Sequence, residues 1–448
     1  MSVATPKRQV DSREVALQVV RDVFGEHLRG AREALDYRAR AAAFENRDRG
    51  FATELAYGTI KMRRWLDYQL APFLGARANT IPRPIAEILR LGVYQLRCMN
   101  SVETYAAVSE SVGLARRYGH KGTAGLVNAV LRRLAEAPVR EAPGDDDDAL
   151  AIRASLPTWI VAHWHARFGA QLLPEILAGV NAPAAIGLSV NLQRTTRAAV
   201  LGVLAEAGIG ASESAFARDA IVIEGHSPST ALEKLAGGRW ESHAEAACFP
   251  VDILDPRPGE RVYEACSGRG NKSLQIVERM GTDARLESVD LDERRVTRAR
   301  ERLIAAGAAG STLVVAADAA LAQGEADCDR VLVDAPCSGL GIIGRQPEAR
   351  WRKDPDDGAR LAPMQSAILA ASAGRLKPGG SLVYAVCSTD ARECEAVVDK
   401  FLVGRPEFAR APVPQRYAPF FTAAGDVRVP PGIAGRDGFY VARLTRRG

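Results

Sequence analysis

The spacing of apolar residues changes along the chain and predicts regions of different architecture. Over residues 1–140, apolar side chains recur every three or four positions, as in the stripe formed by Ile85, Ile88, Leu89 and Leu96. This is the period of an amphipathic helix that packs one face against a core. No alternating strand pattern interrupts the stripes, so we expect an all-helical domain over this region.

Two further patterns follow this region. The stretch EAPGDDDDAL at 141–150 contains proline, glycine and four aspartates, which favour an exposed linker with solvated carboxylates. Residues 150–250 then combine strand-like segments at 186–191 and 219–225 with a helix-like segment at 195–208. We expect a small α/β unit here, and its pattern alone indicates no function.

Residues 251–448 alternate apolar strands with amphipathic helices. This alternation predicts a mostly parallel sheet with helices on both faces. Ligands of such sheets bind at the carboxyl ends of the strands, near the point where the strand order reverses. The residues that end each strand are therefore the candidates for function. The predicted strands are ERVYEACSG, ARLESVDLD, STLVVAAD, CDRVLVDAPC and GGSLVYAVCS.

The overall composition narrows the class of protein. With 448 residues, 47% of them hydrophobic and 25% charged, the chain has the composition of an ordinary globular protein with room for several domains. It contains no apolar run of about 18 residues that could span a membrane. The N-terminus lacks the apolar stretch of a secretory signal, so we expect a cytoplasmic protein. The seven cysteines are widely spaced, without a CxxC pair, and predict neither a disulfide scaffold nor a metal site.

Charge is distributed unevenly between the helical region and the rest. Residues 1–139 hold 22 lysines and arginines against 14 aspartates and glutamates, a net charge of +8, which leaves −3 for the remainder of a chain whose net charge is +5. A basic module suggests that the first region handles a polyanion. An arginine-rich solvated surface would give the same numbers, so charge alone favours neither interpretation.

A glycine-containing turn follows the first strand of the C-terminal region. Glycines at such a turn let the backbone approach a ligand, and the helix start offers free N–H groups to an anionic group. That group would be a pyrophosphate or the carboxylate of an amino-acid-like cofactor, although a GxG turn after a strand also occurs for packing alone. The turn consists of Cys266, Ser267, Gly268, Arg269, Gly270, Asn271 and Lys272.

The next two strands end in aspartates. Asp290 lies 20 residues after Gly270, the spacing at which an acidic residue can bind a ribose diol. Asp318 ends the third strand, where it could meet an adenine amino group. Each aspartate alone is explained as well by helix capping. Successive polar strand ends beside a glycine turn favour a nucleoside cofactor.

The fourth and fifth strands run into Asp334-Ala-Pro-Cys337 and Val-Cys387. A thiolate beside a nucleoside cofactor suits methylation of cytosine, because addition of the thiolate to carbon 6 makes carbon 5 nucleophilic. Asp334 could hydrogen-bond N3 and stabilise the charge that develops there. The second cysteine is a candidate helper for breaking the enzyme–base bond.

At these residues the chain resembles a known family. DAPCSGLG and YAVCS are similar to the paired signatures of RNA cytosine-C5 (m5C) methyltransferases of the Sun (NSUN) family, and residues 345–351 resemble the stretch that follows the first signature. The resemblance implies that Cys387 is the nucleophile and that Cys337 assists release. DNA enzymes attack from the Pro-Cys motif, so the second cysteine indicates RNA. The resemblance also implies that S-adenosylmethionine is the cofactor. Its contacts would come from residues 266–272, Asp290, Asp318 and Asp334.

The rest of the chain resembles the domains found beside this catalytic domain. ELAYGTIKMRRWLD, ILRLGVYQLRCM and GLVNAVLRRL are similar to a NusB-type RNA-binding domain, and the segment beginning LPTWIV is similar to a small RRM-like region. The combination resembles the ribosomal small-subunit methyltransferase B subfamily, which implies a 16S rRNA substrate. We therefore expect a multidomain protein: a NusB-like all-α domain at 1–140, an RRM-like α/β region at 150–250 and a Rossmann-like methyltransferase domain at 251–448. We expect a monomer with RNA as its partner, and neither DNA nor membrane.

The sequence departs from the family in the cofactor turn. The family pattern Cys-Ala-Ala-Pro-Gly-Gly-Lys-Thr is replaced by Cys-Ser-Gly-Arg-Gly-Asn-Lys-Ser, and His243-Ala-Glu-Ala246 replaces an upstream Gln-Asp/Glu-x-Ser element. One alternative is therefore a non-catalytic RNA-binding or ribosome-assembly protein with a degenerate turn. A tRNA cytosine-C5 methyltransferase is a second. A dehydrogenase-like Rossmann protein is disfavoured because GxGxxG is missing and the cysteines would have no role.

Overall fold

The computed structural model describes residues 11–25, 28–44, 46–225, 229–281, 284–308, 312–321 and 324–448. These residues form two compact units. The first contains the chain up to Ala166 together with Gln346–Arg352, and the second contains Arg167–Arg345 and Lys353–Gly448. No helix among the described residues combines the length and hydropathy that crossing a bilayer requires.

The first unit is helical, as its periodicity predicts. Ile85, Ile88 and Leu89 are fully buried in its core, on a helix that begins with a proline in its first turn, where the missing N–H costs no hydrogen bond. The helices are α1 Ser12–Phe24, α2 Ala31–Ala41, α3 Asn46–Lys61, α4 Arg63–Leu74, α5 Arg83–Cys98, α6 Thr104–Tyr118, α7 Lys121–Glu136 and α8 Asp147–Arg153, followed by α9 Thr158–Gly179, which is broken at Gly169.

The aspartates at 145–148 are largely exposed, as expected, but the expectation that they belong to a linker was wrong for the last three, which form a helix start. Asp146 caps α8 by accepting a hydrogen bond from the Ala149 N–H at 2.8 Å. Asp148 pairs with Arg64 at 2.8 Å. Acidic residues at a helix start are stabilised by the unpaired N–H groups and the helix dipole, so this run begins a helix. Loops and capped helix starts contain the same types of residue, which explains why this helix start was assigned to a linker.

The second unit begins with a small antiparallel sheet. Its strands are ordered β2-β3-β1-β4, and Leu188 of the central strand is fully buried beneath α10 and α11. The predicted strands and the helix between them are confirmed, and two short edge strands are added. The elements are β1 Ile186–Val190, α10 Arg197–Glu206, β2 Ala211–Glu213, β3 Ala220–Ile223, α11 Ser229–Ala236 and β4 Trp240–Ser242.

The described residues from 245 onward form a larger sheet and its helices. The strand order is β10-β12-β9-β8-β5-β6-β7, with β11 paired to β12. Strands β5 to β9 are parallel, and β10, β11 and β12 are antiparallel. The elements are α12 Glu245–Leu254, β5 Arg261–Ala265, α13 Asn271–Met280, β6 Arg285–Asp290, α14 Glu293–Ala305, β7 Thr312–Ala316, β8 Cys328–Asp334, α16 Asp357–Ala373, β9 Leu376–Val386, α17 Glu395–Gly404, β10 Phe408–Arg410, β11 Val427–Val429 and β12 Phe439–Arg446. The short helix α15 Ala349–Arg352, which comes between β8 and α16 in the chain, belongs to the first unit.

Both faces of this sheet are covered. Along β9, Val383 and Ala385 join the core under α12 to α14, whereas Leu382, Tyr384 and Val386 join the core under α16 and α17. Side chains of a strand alternate between faces, so an unbroken apolar run marks a strand buried on both sides. The predicted fold class is confirmed, and the antiparallel edge is the part that the alternating pattern missed.

Candidate functional site

The turn after β5 has an unusual backbone. Cys266, Gly268 and Gly270 have φ values of 61°, 57° and 75°, in the left-handed region. At Gly270 a Cβ atom would lie 2.9 Å from the Cβ of Ala299, too close for an ordinary contact. The turn therefore requires glycine at this position for its conformation and for the close packing of α14.

One buried atom of this turn is left for a ligand. The hydroxyl of Ser267 is buried and has no hydrogen-bond partner among the described residues, although its N–H pairs with the Val289 carbonyl at 2.9 Å. Buried hydroxyls are rarely left unpaired, because the lost hydrogen bond to water is not replaced. An orphaned hydroxyl at the start of a helix fits the polar end of an amino-acid-like cofactor.

Asp290 supports the same turn. Its Oδ2 accepts from the Gly268 N–H at 2.8 Å, and its Oδ1 accepts from the Asp292 N–H at 3.0 Å. A carboxylate has about four acceptor positions, so these two bonds leave capacity for ribose hydroxyls. Asp318 is exposed and accepts from the Ala320 N–H at 2.9 Å, which is the capping role given as its alternative interpretation.

The turn and Asp334 lie where the strand order reverses. β5 lies between β6 and β8, and the chain continues on one side to β7 and on the other to β9. Lys272, in the first turn of α13, donates to Asp334 Oδ2 at 2.6 Å. Burial lowers the pKa of Lys272, but the Asp334 carboxylate and Cys387 more than offset this, so the pKa is raised and the ammonium is retained. The predicted cofactor residue Lys272 is thus paired with the predicted catalytic residue Asp334.

The two cysteines from adjacent strand ends are neighbours. Sγ of Cys337 and Sγ of Cys387 lie 3.4 Å apart, and both side chains are half-buried. The hydrogen bond with Cys387, followed by burial, raises the pKa of Cys337 well above its ordinary value. Cys337 is therefore held as a thiol whose S–H can donate to Cys387.

Two buried carboxylates near the site were missed by sequence reasoning. Glu264 on β5 is fully buried, and its Oε2 accepts from the hydroxyls of Ser273 and Ser288 at 2.5 and 2.6 Å. Burial raises the pKa of Glu264 to about 6, although the two hydroxyls act in the opposite direction. Glu393 is also fully buried and accepts from Ser338 and Ser388, the residues that follow the two cysteines. Glu264 could have been noticed, because it is a glutamate inside an otherwise apolar strand. Glu393 could not, because several carboxylates lie near it in the sequence and nothing distinguishes it from them.

Residues 345–351, which resemble the family stretch after the first signature, separate into two environments. Arg345 pairs with Asp437 at 2.7 Å in the second unit. Arg350 and Trp351 pack in the first unit: Arg350 is fully buried and donates to the Ser155 carbonyl, and Trp351 Nε1 donates to the Ile60 carbonyl at 2.6 Å. The stretch is therefore a structural element of the helical unit from residue 346 to 352.

Comparison with known proteins identifies the family of the region that contains this site. Residues 251–445 match the model of the 16S rRNA methyltransferase RsmB/F family, residues 10–136 match the NusB family, and residues 156–230 match the ferredoxin-like domain of RsmF/B-like methyltransferases.

Whole-chain relatives give the same result. The chain is 34% identical to the probable ribosomal RNA small subunit methyltransferase B of Bacillus subtilis, over 90% of this chain and 92% of the relative. It is 34% identical to ribosomal RNA small subunit methyltransferase B of Thermus thermophilus, over 92% of each. Among solved structures, PH0851 superimposes with a TM-score of 0.81 at 23% identity, covering 98% of this chain and all of that one, and shares the fold. The chain therefore belongs to the RsmB/F family of 16S rRNA methyltransferases, enzymes that use S-adenosylmethionine.

Proposed function

We propose that this chain methylates carbon 5 of a cytosine in 16S rRNA, with Cys387 as the nucleophile and Cys337 as the residue that assists release. The observation that carries the proposal is the pair of thiols 3.4 Å apart, beside the Lys272–Asp334 pair. Neither a packing role nor a binding role requires two half-buried thiols at the strand ends where ligands of this fold bind.

The first step is addition of the Cys387 thiolate to carbon 6 of the base. The ammonium of Lys272 is close enough to interact electrostatically with Cys387, so it can offset the negative charge that this step moves from the sulfur into the base. The S–H of Cys337 can donate to the same sulfur. The negative charge that moves into the ring reaches N3, where the Lys272–Asp334 pair can supply a proton.

The second step is transfer of a methyl group to carbon 5 of the base. S-adenosylmethionine, when bound, supplies an electrophilic methyl group, which carbon 5 can accept once carbon 6 carries the thiolate. The residues proposed to hold it are those of the turn 266–272, together with Asp290 and Asp318. The orphaned hydroxyl of Ser267 and the left-handed backbone at Gly268 and Gly270 support a ligand at this turn.

Release restores aromaticity. Carbon 5 then carries both a methyl group and its original proton. A water molecule accepts that proton, the electrons of the C5–H bond form the C5=C6 double bond, and the Cys387 sulfur leaves as a thiolate with the electrons of the C6–S bond. N3 returns its proton to the Lys272–Asp334 pair. Because Cys337 is held as a thiol against this sulfur, it can stabilise the leaving thiolate by hydrogen bonding. Without Cys337, the covalent enzyme–RNA adduct should persist.

The substrate is proposed from the family and the charge distribution. The cytosine must be unstacked to reach Cys387, which favours a loop over a duplex. The net charge of +8 over residues 1–139 supports a role of the helical unit in RNA binding. A ribosomal substrate would require the protein to work in the cytoplasm.

The test is bisulfite sequencing of total RNA from a strain that lacks the gene, complemented with variants. We expect the wild-type protein to restore cytosine methylation at one position of 16S rRNA and Cys387→Ala to restore methylation at none. Cys337→Ala should yield a covalent enzyme–RNA adduct, visible as a slow band on a gel. Restoration of a tRNA position instead would establish the tRNA alternative. Full activity of Cys387→Ala would overturn the proposed chemistry.

A further inference from the structure

We propose that Glu393 is a positioning residue that fixes the separation of the Cys337 and Cys387 sulfurs, and thereby controls the release step that needs both thiols. The inference rests on the proposed function of the two cysteines. It concerns a residue that touches neither sulfur and acts through the turns that carry them.

The carboxylate of Glu393 is fully buried and fully engaged. Its Oε1 accepts from the Ser338 N–H at 2.8 Å and from Gln365 Nε2 at 2.9 Å. Its Oε2 accepts from the hydroxyls of Ser338 and Ser388, both at 2.5 Å. All of these donors are neutral, so the buried oxygens of Glu393 are satisfied by oriented dipoles, and these hydrogen bonds depend on donors that are held in place.

These donors belong to the turns that follow the two cysteines. Ser338 comes directly after Cys337 and Ser388 directly after Cys387, so one carboxylate bridges both turns. The two serine hydroxyls are themselves 3.0 Å apart. Gln365 also donates to the Pro336 carbonyl at 2.9 Å, on the other side of Cys337.

The strands alone do not fix these turns. The β8–β9 pairing ends near the hydrogen bond from the Ala335 N–H to the Ala385 carbonyl, which precedes both cysteines. Beyond it, the described backbone contact between the two turns is the hydrogen bond from the Gly341 N–H to the Cys387 carbonyl at 3.0 Å, four residues after Cys337. Glu393 is anchored to β9, because its own carbonyl accepts from the Tyr384 hydroxyl at 2.7 Å. Glu393 therefore connects β9 to the turn after Cys337, in a region that lies past the end of the β8–β9 pairing.

Variants of Glu393 separate positioning from folding. In Glu393→Gln the amide oxygen can still accept from Ser338 and Gln365, and the serine hydroxyls can rotate to accept from the new NH₂ group, so most of the geometry should remain. In Glu393→Ala all four hydrogen bonds are lost. Glu395→Ala is the matched control, because Glu395 is paired with Arg167 and Arg428 outside the network.

The first readout needs no RNA and no activity. Phenylarsine oxide binds tightly only where two thiols are close enough to share its arsenic atom, and Cys337→Ala provides the blank. We expect Glu393→Ala to bind the probe at least about tenfold more weakly than wild type. Glu393→Gln and Glu395→Ala should bind as wild type does. Unchanged binding by a folded Glu393→Ala protein, judged by its melting temperature, would overturn the proposal.

The second readout is the ratio of covalent RNA adduct to turnover. A displacement of about 1 Å can reduce a rate by about 10²-fold, and release depends on both sulfurs. Glu393→Ala should therefore accumulate adduct, with the KM for S-adenosylmethionine unchanged and with rescue in Glu393→Gln. A fall in activity without adduct, or a change in that KM, would contradict a positioning role. Failure of the proposed function is distinguishable, since it would appear as activity of Cys387→Ala whatever the probe binds.

Discussion

The cysteine turns, which follow Cys337 and Cys387, and the cofactor turn at 266–272 are shaped in different ways. The cysteine turns are held by side chains, since Glu393 receives hydrogen bonds from Ser338 and Ser388. The cofactor turn is held chiefly through its backbone, with left-handed residues at 266, 268 and 270 and with the Gly268 N–H bound by the side chain of Asp290, which lies outside the turn.

This difference explains where the sequence departs from the family pattern. A turn shaped by side chains requires particular residues, and both cysteine signatures are retained. A turn shaped by its backbone requires glycine only where a Cβ would collide, as at Gly270, and tolerates change at Arg269 and Asn271, whose side chains are exposed. The cofactor turn can therefore differ in sequence and keep its shape, which argues against the interpretation of a degenerate turn.

The largest effect on methyl transfer should come from Lys272→Met, which removes the cation that the last residue of the cofactor turn places beside Asp334 and Cys387. Asp334 loses its partner at 2.6 Å, and Cys387 loses a nearby positive charge. We expect the single-turnover rate of methyl transfer to fall by about 10²–10³-fold, the usual effect of losing one preorganised electrostatic contact. Lys377→Met, which breaks the pair with Asp329 elsewhere in the sheet, should leave the rate unchanged. Equal losses in both variants would indicate a general effect on folding.

A smaller effect is expected from Gly270→Ala in the cofactor turn. An alanine with positive φ costs ~1–2 kcal/mol, and here its Cβ would also press on Ala299 and displace α14. Gly259→Ala is the control, because Gly259 has φ 84° and nothing within 4 Å of the added Cβ. We expect calorimetric titration to show about tenfold weaker binding of S-adenosylmethionine for Gly270→Ala only. Similar affinities in the two variants would show that packing of α14 does not shape the turn.

The smallest effect should come from Arg269→Ala. The Arg269 side chain is exposed, and the described contact of the residue is made by its carbonyl, which accepts from Arg302 at 3.0 Å. We expect cofactor affinity to change by no more than about twofold, as for a surface substitution of ~0.5 kcal/mol. A tenfold loss in the same titration would mean that this side chain, and not only the backbone, contacts the cofactor.

The features that could be predicted depend on local sequence patterns, and those that could not depend on contacts between residues far apart in the chain. Periodicity reports burial, so the helical stripe through Ile88 and the two-faced strand at β9 were predictable. The cysteines could be placed at the same edge because parallel strands end together. Their distance could not be predicted, nor could the hydrogen bonds of Glu393 to the serines that follow them, because Ser338 and Glu393 lie 55 positions apart in the chain.

The errors have a physical origin as well. The aspartates at 145–148 were assigned to a linker because capping residues and loop residues are of the same types. The antiparallel strand β12 was missed because the alternation of strands and helices predicts parallel pairing, and a final hairpin-like edge does not follow that rule. Arg350 is fully buried although arginine is usually exposed, and its partners are carbonyls far away in sequence.

The central claim is that Cys387 forms the bond to cytosine, and trapping that bond tests it most directly. A 16S rRNA transcript containing 5-fluorocytidine should stall after methyl transfer, because fluorine on carbon 5 cannot leave as a proton does. The two cysteines lie on different tryptic peptides, 331–345 and 376–392, so mass spectrometry can assign the modified residue. We expect a methylated nucleotide on the 376–392 peptide, attached to Cys387. A nucleotide on Cys337, or no adduct with an enzyme that methylates unmodified RNA, would contradict the central claim.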